Sequence, residues 1–260
     1  MANIHPTAII DPGATLGSDV TIGPYAVIGD GVEIGDETEI GPHVRIAGPT
    51  KIGRRNRFTG SASFGTDPQD LKFGGEKTRL EIGDDNLFRE FVTVNRGTMG
   101  GGGVTTIASK NLFMAYSHVA HDCHVGSNVI FANNGTLAGH VEVGDFATIG
   151  AFCAVHQFCR VGNHAFLGGD TIVTQDALPF VKTVGSRPAK TYGVNHIGLQ
   201  RKGFAPETVE ALRKAYKLLV RSHLLQADAL EKIDAELGSI PEVRYFADFI
   251  KAASKRGIVR

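Results

Sequence analysis

The chain has 260 residues, of which 42% are hydrophobic, and this is enough to bury a core. Its 27 basic and 27 acidic side chains cancel, which excludes a global cationic field for holding nucleic acid or an anionic membrane. No segment reaches the roughly 18 consecutive apolar residues of a membrane span, and three cysteines give no even-numbered disulfide framework. We therefore predict a soluble, cytoplasmic protein in a reducing compartment.

A six-residue period dominates most of the chain. Large apolar residues recur every six positions from Ile4 to Phe64, return in phase at Ile82, and after a one-residue slip run from Ile107 to Val173. Glycine often follows the large residue, and a small residue usually stands four positions after it, as tight corners and a dense interior require. The period suits neither an α-helix nor a meander. It predicts a mainly β fold, a triangular parallel β-helix with eighteen residues per coil.

Two segments interrupt the period. They are residues 65–79, which read GTDPQDLKFGGEKTR, and residues 95–104, which read NRGTMGGGGV. Loops that project from a rigid scaffold often carry binding residues. The four-glycine run is not followed by Gly-Lys-Ser/Thr, so it does not predict a phosphate-binding loop, and we expect a mobile flap there.

Helical patterns replace the period near the end of the chain. We predict a β-helix over residues 1–187 and a small α-helical C-terminal domain over residues 188–260, with helices that start near Pro206, Ala227 and Pro241. Residues 187–260 carry 14 basic and 8 acidic side chains. This segment is therefore a positive module on an acidic body.

A coil of eighteen residues stacks polar side chains from successive coils along one edge of the prism. Two columns result: His121, Gly139 and Gln157, and beside them Asp122, His140 and Phe158. A neutral imidazole in these columns can act as a general base near pH 7. Asp122 can orient the ring, the Gly139 N–H can face an oxyanion, and His140 or Gln157 can hold substrate. To His124 and His164 we assign no role, and the cysteines are predicted to be buried core thiols.

Six motifs occur in order along the chain. They are QDLKFGGEKTRLEIGD (69–84), NRGT (95–98), HVAHDCHVG (118–126), FANNGTLAGHVEVGD (131–145), AVHQFCRVG (154–162) and GVNHIGLQRKGF (193–204). In this order and spacing they resemble the acyl carrier protein-dependent UDP-N-acetylglucosamine O-acyltransferases of lipid A biosynthesis, a family of hexapeptide-repeat enzymes. The resemblance spans essentially the whole chain. It implies a left-handed parallel β-helix with a small C-terminal helical domain.

The resemblance implies transfer of an (R)-3-hydroxyacyl chain from acyl carrier protein to the 3-hydroxyl of UDP-N-acetylglucosamine, the first step of lipid A biosynthesis, with no cofactor and no metal. His121 matches the general base of the family, Asp122 its supporting residue, and Gly139 the amide that stabilises the oxyanion. Other positions match residues of the substrate cleft and of the loop that contacts sugar and donor: Gln69, Asp70, Lys72, His118, His140, His156 and Gln157.

Three residues of the basic tail, Asn195, Arg201 and Lys202, match positions around the nucleotide, where they would offset the charge of UDP and of an acidic carrier protein. Lys202 stands where an arginine is common in the family. Gly169 matches the position thought to stop the acyl chain, and because it has no side chain we expect a longer hydroxyacyl substrate. The resemblance also implies a homotrimer with the active site between adjacent prisms.

Three alternatives remain open at this point. A zinc enzyme similar to β-helix carbonic anhydrases would use His118, His121 and His140 as ligands. A related N-acyltransferase would act on an amine, but it carries an additional N-terminal domain, whereas here the repeat begins by Ile4. A structural solenoid would show a regular outward threonine ladder, and the outward positions here are mixed.

Overall fold

The structure, a computed structural model, describes residues 2–260. These residues form 28 short strands. The strands are β1 (Asn3–Ile4), β2 (Ile9–Ile10), β3 (Thr15–Leu16), β4 (Thr21–Ile22), β5 (Val27–Ile28), β6 (Val32–Ile34), β7 (Glu39–Ile40), β8 (Arg45–Ile46), β9 (Thr50–Ile52), β10 (Arg57–Phe58), β11 (Ser63–Thr66), β12 (Arg79–Ile82), β13 (Leu87–Phe88), β14 (Thr93–Asn95), β15 (Val104–Ile107), β16 (Leu112–Phe113), β17 (His118–Val119), β18 (His124–Val125), β19 (Ile130–Phe131), β20 (Thr136–Leu137), β21 (Glu142–Val143), β22 (Thr148–Ile149), β23 (Ala154–Val155), β24 (Arg160–Val161), β25 (Phe166–Leu167), β26 (Ile172–Val173), β27 (Val181–Val184) and β28 (Lys190–Val194).

Three long sheets form the faces of the prism. The first sheet contains β1, β4, β7, β10, β13, β16, β19, β22, β25, β27 and β28; the second contains β2, β5, β8, β11, β14, β17, β20, β23 and β26; the third contains β3, β6, β9, β12, β15, β18, β21 and β24. Successive strands of the coils pass from one sheet to the next and pair in parallel with strands of the neighbouring coils. The fold is a left-handed parallel β-helix. This confirms the predicted fold class.

Strand register confirms the eighteen-residue coil. His118 pairs with Thr136, and Thr136 pairs with Ala154, each offset by 18 positions. The interruptions lengthen two coils, so that Ser63 pairs with Thr93 at an offset of 30, and Thr93 pairs with His118 at an offset of 25. Both interruptions leave the prism where the chain passes from the second sheet to the third, which we call the 2–3 edge. The 3–1 edge and the 1–2 edge are named in the same way.

The interior of the prism is a stack of large apolar side chains. Phe58, Phe88, Phe113 and Phe131 stack face to face through consecutive coils, with ring centroids 4.6–4.8 Å apart. Aromatic rings in this arrangement pack densely and bury a large area. The three cysteines are buried and unpaired, as predicted, and burial raises the pKa of the Cys123 thiol to about 12.

Four α-helices follow: α1 (His196–Arg201), α2 (Pro206–Tyr216), α3 (Gln226–Leu237) and α4 (Pro241–Lys251). The three predicted helices correspond to α2, α3 and α4, whereas α1 was not predicted. A π-helical turn over Lys217–Arg221 extends α2. Within residues 2–260, no helix combines the length and apolar character of a membrane span. Strand β28 pairs with β27, so the first sheet continues past residue 187. The predicted domain boundary after that residue stays a prediction.

Asp176 fastens the end of the chain to the prism. Its buried carboxylate accepts hydrogen bonds from the Arg160 backbone N–H and Nε and from the Ser254 N–H and hydroxyl, at 2.8–3.1 Å. The Val259 N–H donates to the Asp176 carbonyl at 2.9 Å. A buried carboxylate is stable only with such donors, so these bonds fix the tail against the β-helix.

Candidate active site

The structure distributes the predicted site residues over three edges of the prism. Most lie at the 2–3 edge or in the strand beside it: Gln69, Asp70, Lys72, His118, His121, Asp122, Gly139, His140, His156 and Gln157. Asn195, Arg201 and Lys202 instead surround a cavity at the 3–1 edge, and Gly169 lies at the 1–2 edge. One chain therefore does not bring the whole predicted site together.

His121 and Asp122 form a hydrogen-bonded pair. The Nδ1 atom of His121 lies 2.8 Å from Oδ2 of Asp122. The Asp122 side chain is fully buried, whereas the His121 side chain retains 13% of its exposure. When Nδ1 carries the proton toward the carboxylate, Nε2 of the neutral ring is an acceptor. This arrangement is that of a general base held in one tautomer by a carboxylate.

Gly139 lies directly beneath the His121 ring. A β-carbon at position 139 would be 2.6 Å from Cε1 and 2.8 Å from Nε2 of His121. The backbone confirms the predicted column, because the His140 N–H donates to the His121 carbonyl at 3.0 Å and the Phe158 N–H to the Gly139 carbonyl at 3.3 Å. Among residues 2–260, no acceptor takes the Gly139 N–H. That N–H is a free donor close to the imidazole.

Two further histidines surround the pair. His140 meets the His121 ring edge to face at 5.1 Å, stacks on Phe158 at 4.5 Å, and places Nε2 3.8 Å from Oδ2 of Asp122. His118 shares a 2.7 Å hydrogen bond with the Thr93 hydroxyl. Burial, and then the charge of His121, lower the pKa of His118; burial also lowers the pKa of His140, against the opposing effect of Asp122. Both rings are therefore neutral at pH 7.

His156 and Gln157 occupy the next coil of the edge and are exposed. The Nδ1 atom of His156 lies 3.2 Å from the Gln157 carbonyl. Both side chains are exposed one coil beyond Gly139, on the Gly139 side of the His121 pair.

The first interruption carries Gln69, Asp70 and Lys72. Gln69 and Lys72 are exposed, and Asp70 is half-buried and accepts a 3.0 Å hydrogen bond from the Lys72 N–H. The carboxylate of Asp70 acts to raise the pKa of His140, against the larger effect of burial. Leu71, between them, is fully exposed.

The base of this loop is held by the second interruption. Asn95 donates from Nδ2 to the Thr66 hydroxyl at 3.1 Å and to the Asp67 carbonyl at 2.9 Å. Arg96, which is mostly buried, pairs with the Asp67 carboxylate at 2.7 Å, and its guanidinium lies 5.3 Å from the centroid of the Phe73 ring. The two interruptions therefore form one structure.

The expectation of a flap at residues 95–104 is wrong, because this segment packs against Asp122. Thr98 is buried, and it donates from its N–H to Oδ1 of Asp122 at 2.7 Å and from its hydroxyl to Oδ2 at 2.6 Å. Residues Met99–Gly101 form a 3₁₀ turn against the same carboxylate. Sequence reasoning missed Thr98, although it lies in the NRGT motif, because the six-residue period says nothing about the path of an insertion.

A separate cavity of about 400 Å³ lies at the 3–1 edge beside α1. The Lys202 ammonium lies 5.0 Å from the centroid of the Phe146 ring, and His164 stacks between Phe146 and Phe180 at 4.7 and 5.6 Å. Burial and the charge of Lys202 lower the pKa of His164 to about 4. The cavity thus combines stacked rings with cationic side chains.

Two of the remaining predicted residues have simple surroundings. Asn195 caps α1, because its Oδ1 accepts from the Gly198 N–H at 3.3 Å, and its Nδ2 donates to the His164 carbonyl at 3.3 Å. Gly169 is exposed and has open space, since a β-carbon there would meet only the Ala151 carbonyl at 3.6 Å. Neither space nor backbone dihedral requires glycine at position 169.

The metal-site alternative fits the donor set poorly. His121, Asp122 and His140 place their ligand atoms within 4.8 Å of one another, but His118 is not part of this group. Both carboxylate oxygens of Asp122 already accept hydrogen bonds from Thr98, and Oδ2 also contacts Nδ1 of His121. This saturation is typical of a carboxylate that orients an imidazole.

Comparisons with known proteins show the family of the chain. A family model for UDP-N-acetylglucosamine O-acyltransferase domain 2 matches residues 176–259, and a model for six bacterial transferase hexapeptide repeats matches residues 1–36. The chain is 51% identical to the acyl-[acyl-carrier-protein]–UDP-N-acetylglucosamine O-acyltransferase of Thiobacillus denitrificans over the full length of both chains. It is 50% identical to the enzyme of the same name from Stenotrophomonas maltophilia over 97% of this chain and 96% of that one.

Solved structures extend the comparison to the fold. The UDP-N-acetylglucosamine O-acyltransferase of Moraxella catarrhalis superposes with a TM-score of 0.96 at 43% identity, covering 99% of each chain. The likeness includes the β-helix and the helical tail alike. The chain belongs to the UDP-N-acetylglucosamine O-acyltransferase family.

Proposed function

We propose that this protein transfers an (R)-3-hydroxyacyl chain from acyl carrier protein to the 3-hydroxyl of UDP-N-acetylglucosamine, the first step of lipid A biosynthesis. The observation that carries the chemistry is the His121–Asp122 pair, in which the carboxylate binds Nδ1 and leaves Nε2 free. Full-length relatives at about 50% identity, with this reaction in their names, support the substrates.

In the proposed reaction, Nε2 of His121 takes the proton of the sugar 3-hydroxyl as the oxygen attacks the carbonyl carbon of the thioester. The carbonyl π electrons move to its oxygen, and the free N–H of Gly139 stabilises the resulting oxyanion. Collapse of the tetrahedral species breaks the carbon–sulfur bond and releases the carrier thiolate. The His121 imidazolium returns its proton to that thiolate, so the products are an ester and a free thiol.

The other residues of the 2–3 edge would position the substrates. His118 and His140 are neutral rings beside the base, and neutral rings can hydrogen bond to a sugar without repelling the imidazolium that forms at His121. Asp70 and Lys72, with Gln69, lie on a loop whose base is fixed by Arg96. A fixed base holds these residues in position to contact the sugar and the acyl donor. His156 and Gln157 are exposed one coil beyond Gly139.

The cavity at the 3–1 edge would hold the nucleotide. Arg201 and Lys202 supply positive charge for a diphosphate, and the Phe146 and His164 rings offer stacking surface for a base. The same positive tail would attract an acidic carrier protein. Reduced, buried cysteines and a carrier-protein donor are consistent with action in the cytoplasm.

The active enzyme would be a homotrimer. His121 and Arg201 are proposed to bind one UDP-sugar, yet they lie at different edges of their own chain. Packing of prisms side by side would bring the 2–3 edge of one chain against the neighbouring chain and complete the cleft. Exposed, stacked Phe91 and Tyr116 at the 1–2 edge are apolar surface suited to such a contact.

The function is tested by incubating the purified protein with UDP-N-acetylglucosamine and hydroxyacyl carrier proteins of graded chain length, with mass spectrometry of the product. A product that gains one hydroxyacyl group and loses it in mild alkali is an ester, as expected for O-acylation. His121→Ala should lower turnover by about two orders of magnitude or more, because it removes the base. His124→Ala is the matched control, since the His124 side chain is exposed and its ring hydrogen bonds to the Thr106 hydroxyl, away from His121 and Asp122. If none of the wild-type reactions yields this product, the proposal is rejected.

A further inference from the structure

The carboxylate of Asp122 is held by more than its histidine. The Thr98 N–H lies 2.7 Å from Oδ1, and the Thr98 hydroxyl lies 2.6 Å from Oδ2, the oxygen that also contacts His121. The Asp122 N–H donates to the Thr105 hydroxyl at 2.8 Å. Thr98 and Thr105 lie near the two ends of the second interruption. Thr98 therefore binds the side chain of Asp122, and Thr105 binds its backbone N–H.

Gly101, in the glycine run between them, faces the same carboxylate. A β-carbon at this position would be 2.0 Å from Cγ and 2.4 Å from each carboxylate oxygen of Asp122. The backbone of Gly102 and Gly103 is left-handed, with φ of 94° and 80°, but Gly101 does not share that conformation. At position 101 the absence of a side chain is therefore required by the contact with Asp122 and not by the turn.

A second histidine competes for Asp122. The Nε2 atom of His140 lies 3.8 Å from Oδ2, and a modest rotation of the carboxylate would bring these atoms within hydrogen-bonding distance. The two bonds from Thr98 fix the plane of the carboxylate, one on each oxygen. In this plane Oδ2 lies on Nδ1 of His121, at 2.8 Å.

We infer that Thr98 and Gly101 are positioning residues of this enzyme: they hold the Asp122 carboxylate in the orientation that binds Nδ1 of His121 and keeps Nε2 of that ring directed to the substrate. The inference rests on the proposed role of His121 as the base. It gives the glycine-rich interruption a catalytic purpose, since the insertion lies in the coil next to the pair and on the same edge.

The first test replaces Thr98 by Val, which keeps the branched shape and removes the hydroxyl. A lost hydrogen bond to a charged group corresponds to a decrease in kcat of about tenfold to a hundredfold, with KM for UDP-N-acetylglucosamine little changed. Without the hydroxyl the carboxylate can turn away from Nδ1 of His121, so it stabilises the imidazolium less, and the acidic limb of the pH profile of kcat/KM should move to lower pH. Thr98→Ser keeps the hydroxyl and should restore most of the turnover and the original pH limb.

The second test compares two glycines of the same turn. Gly101→Ala must displace the Asp122 carboxylate and should lower kcat by about a hundredfold, the usual cost of a misplaced catalytic group. Gly100→Ala is the matched control, because its β-carbon would meet nothing closer than the Thr98 hydroxyl at 3.9 Å. Gly100 is exposed, and its variant should keep wild-type kcat.

Thermal unfolding of each variant shows whether the fold is retained, and if Thr98→Val does not fold, the Thr98→Ser and glycine comparisons carry the test. Wild-type kcat and an unmoved acidic limb in Thr98→Val, or equal kcat in the two glycine variants, would overturn the inference. His121→Ala is measured in the same assay. If it is inactive while Thr98→Val is fully active, only the positioning inference falls; if it is fully active, the proposed function of His121 falls with it.

Discussion

The imidazole of His121 rests on the α-carbon of Gly139, at a distance where a β-carbon would be 2.6 Å from Cε1. These residues are 18 positions apart, so one coil of the β-helix separates them along the chain and one layer in space, about 4.8 Å. Gly139 thus has two properties that the proposed mechanism uses, room for the ring and an N–H without an internal acceptor.

Gly139→Ala should retain the fold and lose activity. The added methyl would push the His121 ring off its position, and a displacement of about 1 Å lowers kcat by about a hundredfold. Steady-state kinetics with saturating UDP-sugar measures the effect, and circular dichroism confirms that the β-helix is intact. Wild-type turnover in this variant would show that the contact between the two residues is unimportant.

Two variants impaired at different edges of the prism should complement each other. Arg201→Ala should mainly raise KM for the UDP-sugar, and His121→Ala should remove turnover. If the proposed cleft takes His121 from one chain and Arg201 from its neighbour, each trimer that contains both variants has an intact cleft at about one third of its positions. Co-expression with different affinity tags, followed by isolation of mixed trimers, measures this recovery. A site within one chain would yield no intact cleft in any mixture.

Gly169→Leu should shorten the preferred acyl chain. Position 169 is exposed, its φ is not left-handed, and open space surrounds it, so a side chain is tolerated by the backbone. If the acyl chain ends there, the added bulk blocks longer donors and spares shorter ones. Competition between carrier proteins of two chain lengths gives the ratio of kcat/KM values. An unchanged ratio would mean that the acyl chain ends elsewhere.

His164 should make the protein less stable in mild acid. Its pKa is lowered to about 4 by burial and by Lys202, whereas an unfolded histidine titrates near 6.5. Between these pH values the unfolded chain binds the additional proton, so the free energy of unfolding falls as the pH is lowered from 6.5 toward 4. His164→Phe preserves the stack with Phe146 and Phe180 and removes the titration. Its Tm should therefore fall less than that of the wild type between pH 7 and pH 5, and an equal fall would contradict this account.

Periodic parts of the molecule were predictable because each residue's environment repeats. The apolar spacing from Ile107 to Val173 requires a large side chain in each strand of the prism, and it places His121 over Gly139 without further information. The helix pattern after Pro206 was readable for the same reason, since one face of α2 repeats every 3.6 residues. The pairing of His121 with Asp122 followed from their adjacency at one corner.

The insertions were not predictable in the same way. Nothing in the spacing of NRGTMGGGGV indicates that Thr98 hydrogen bonds to Asp122 or that the Asp122 carboxylate leaves no room for a side chain at Gly101. The short helix α1 was also missed, because six residues are too few for a helical period to emerge.

The amino-acid sequence by itself determined the coil length, the edge on which the histidines gather and the family, since all three follow from short repeats and motifs read along the chain. Only the tertiary structure decided which groups fix the Asp122 carboxylate and that Arg201 lies on a different edge from His121. The physical reason is that hydrogen bonds of an irregular segment depend on where packing places its ends. Periodic strands carry that placement in their spacing, and the two insertions do not.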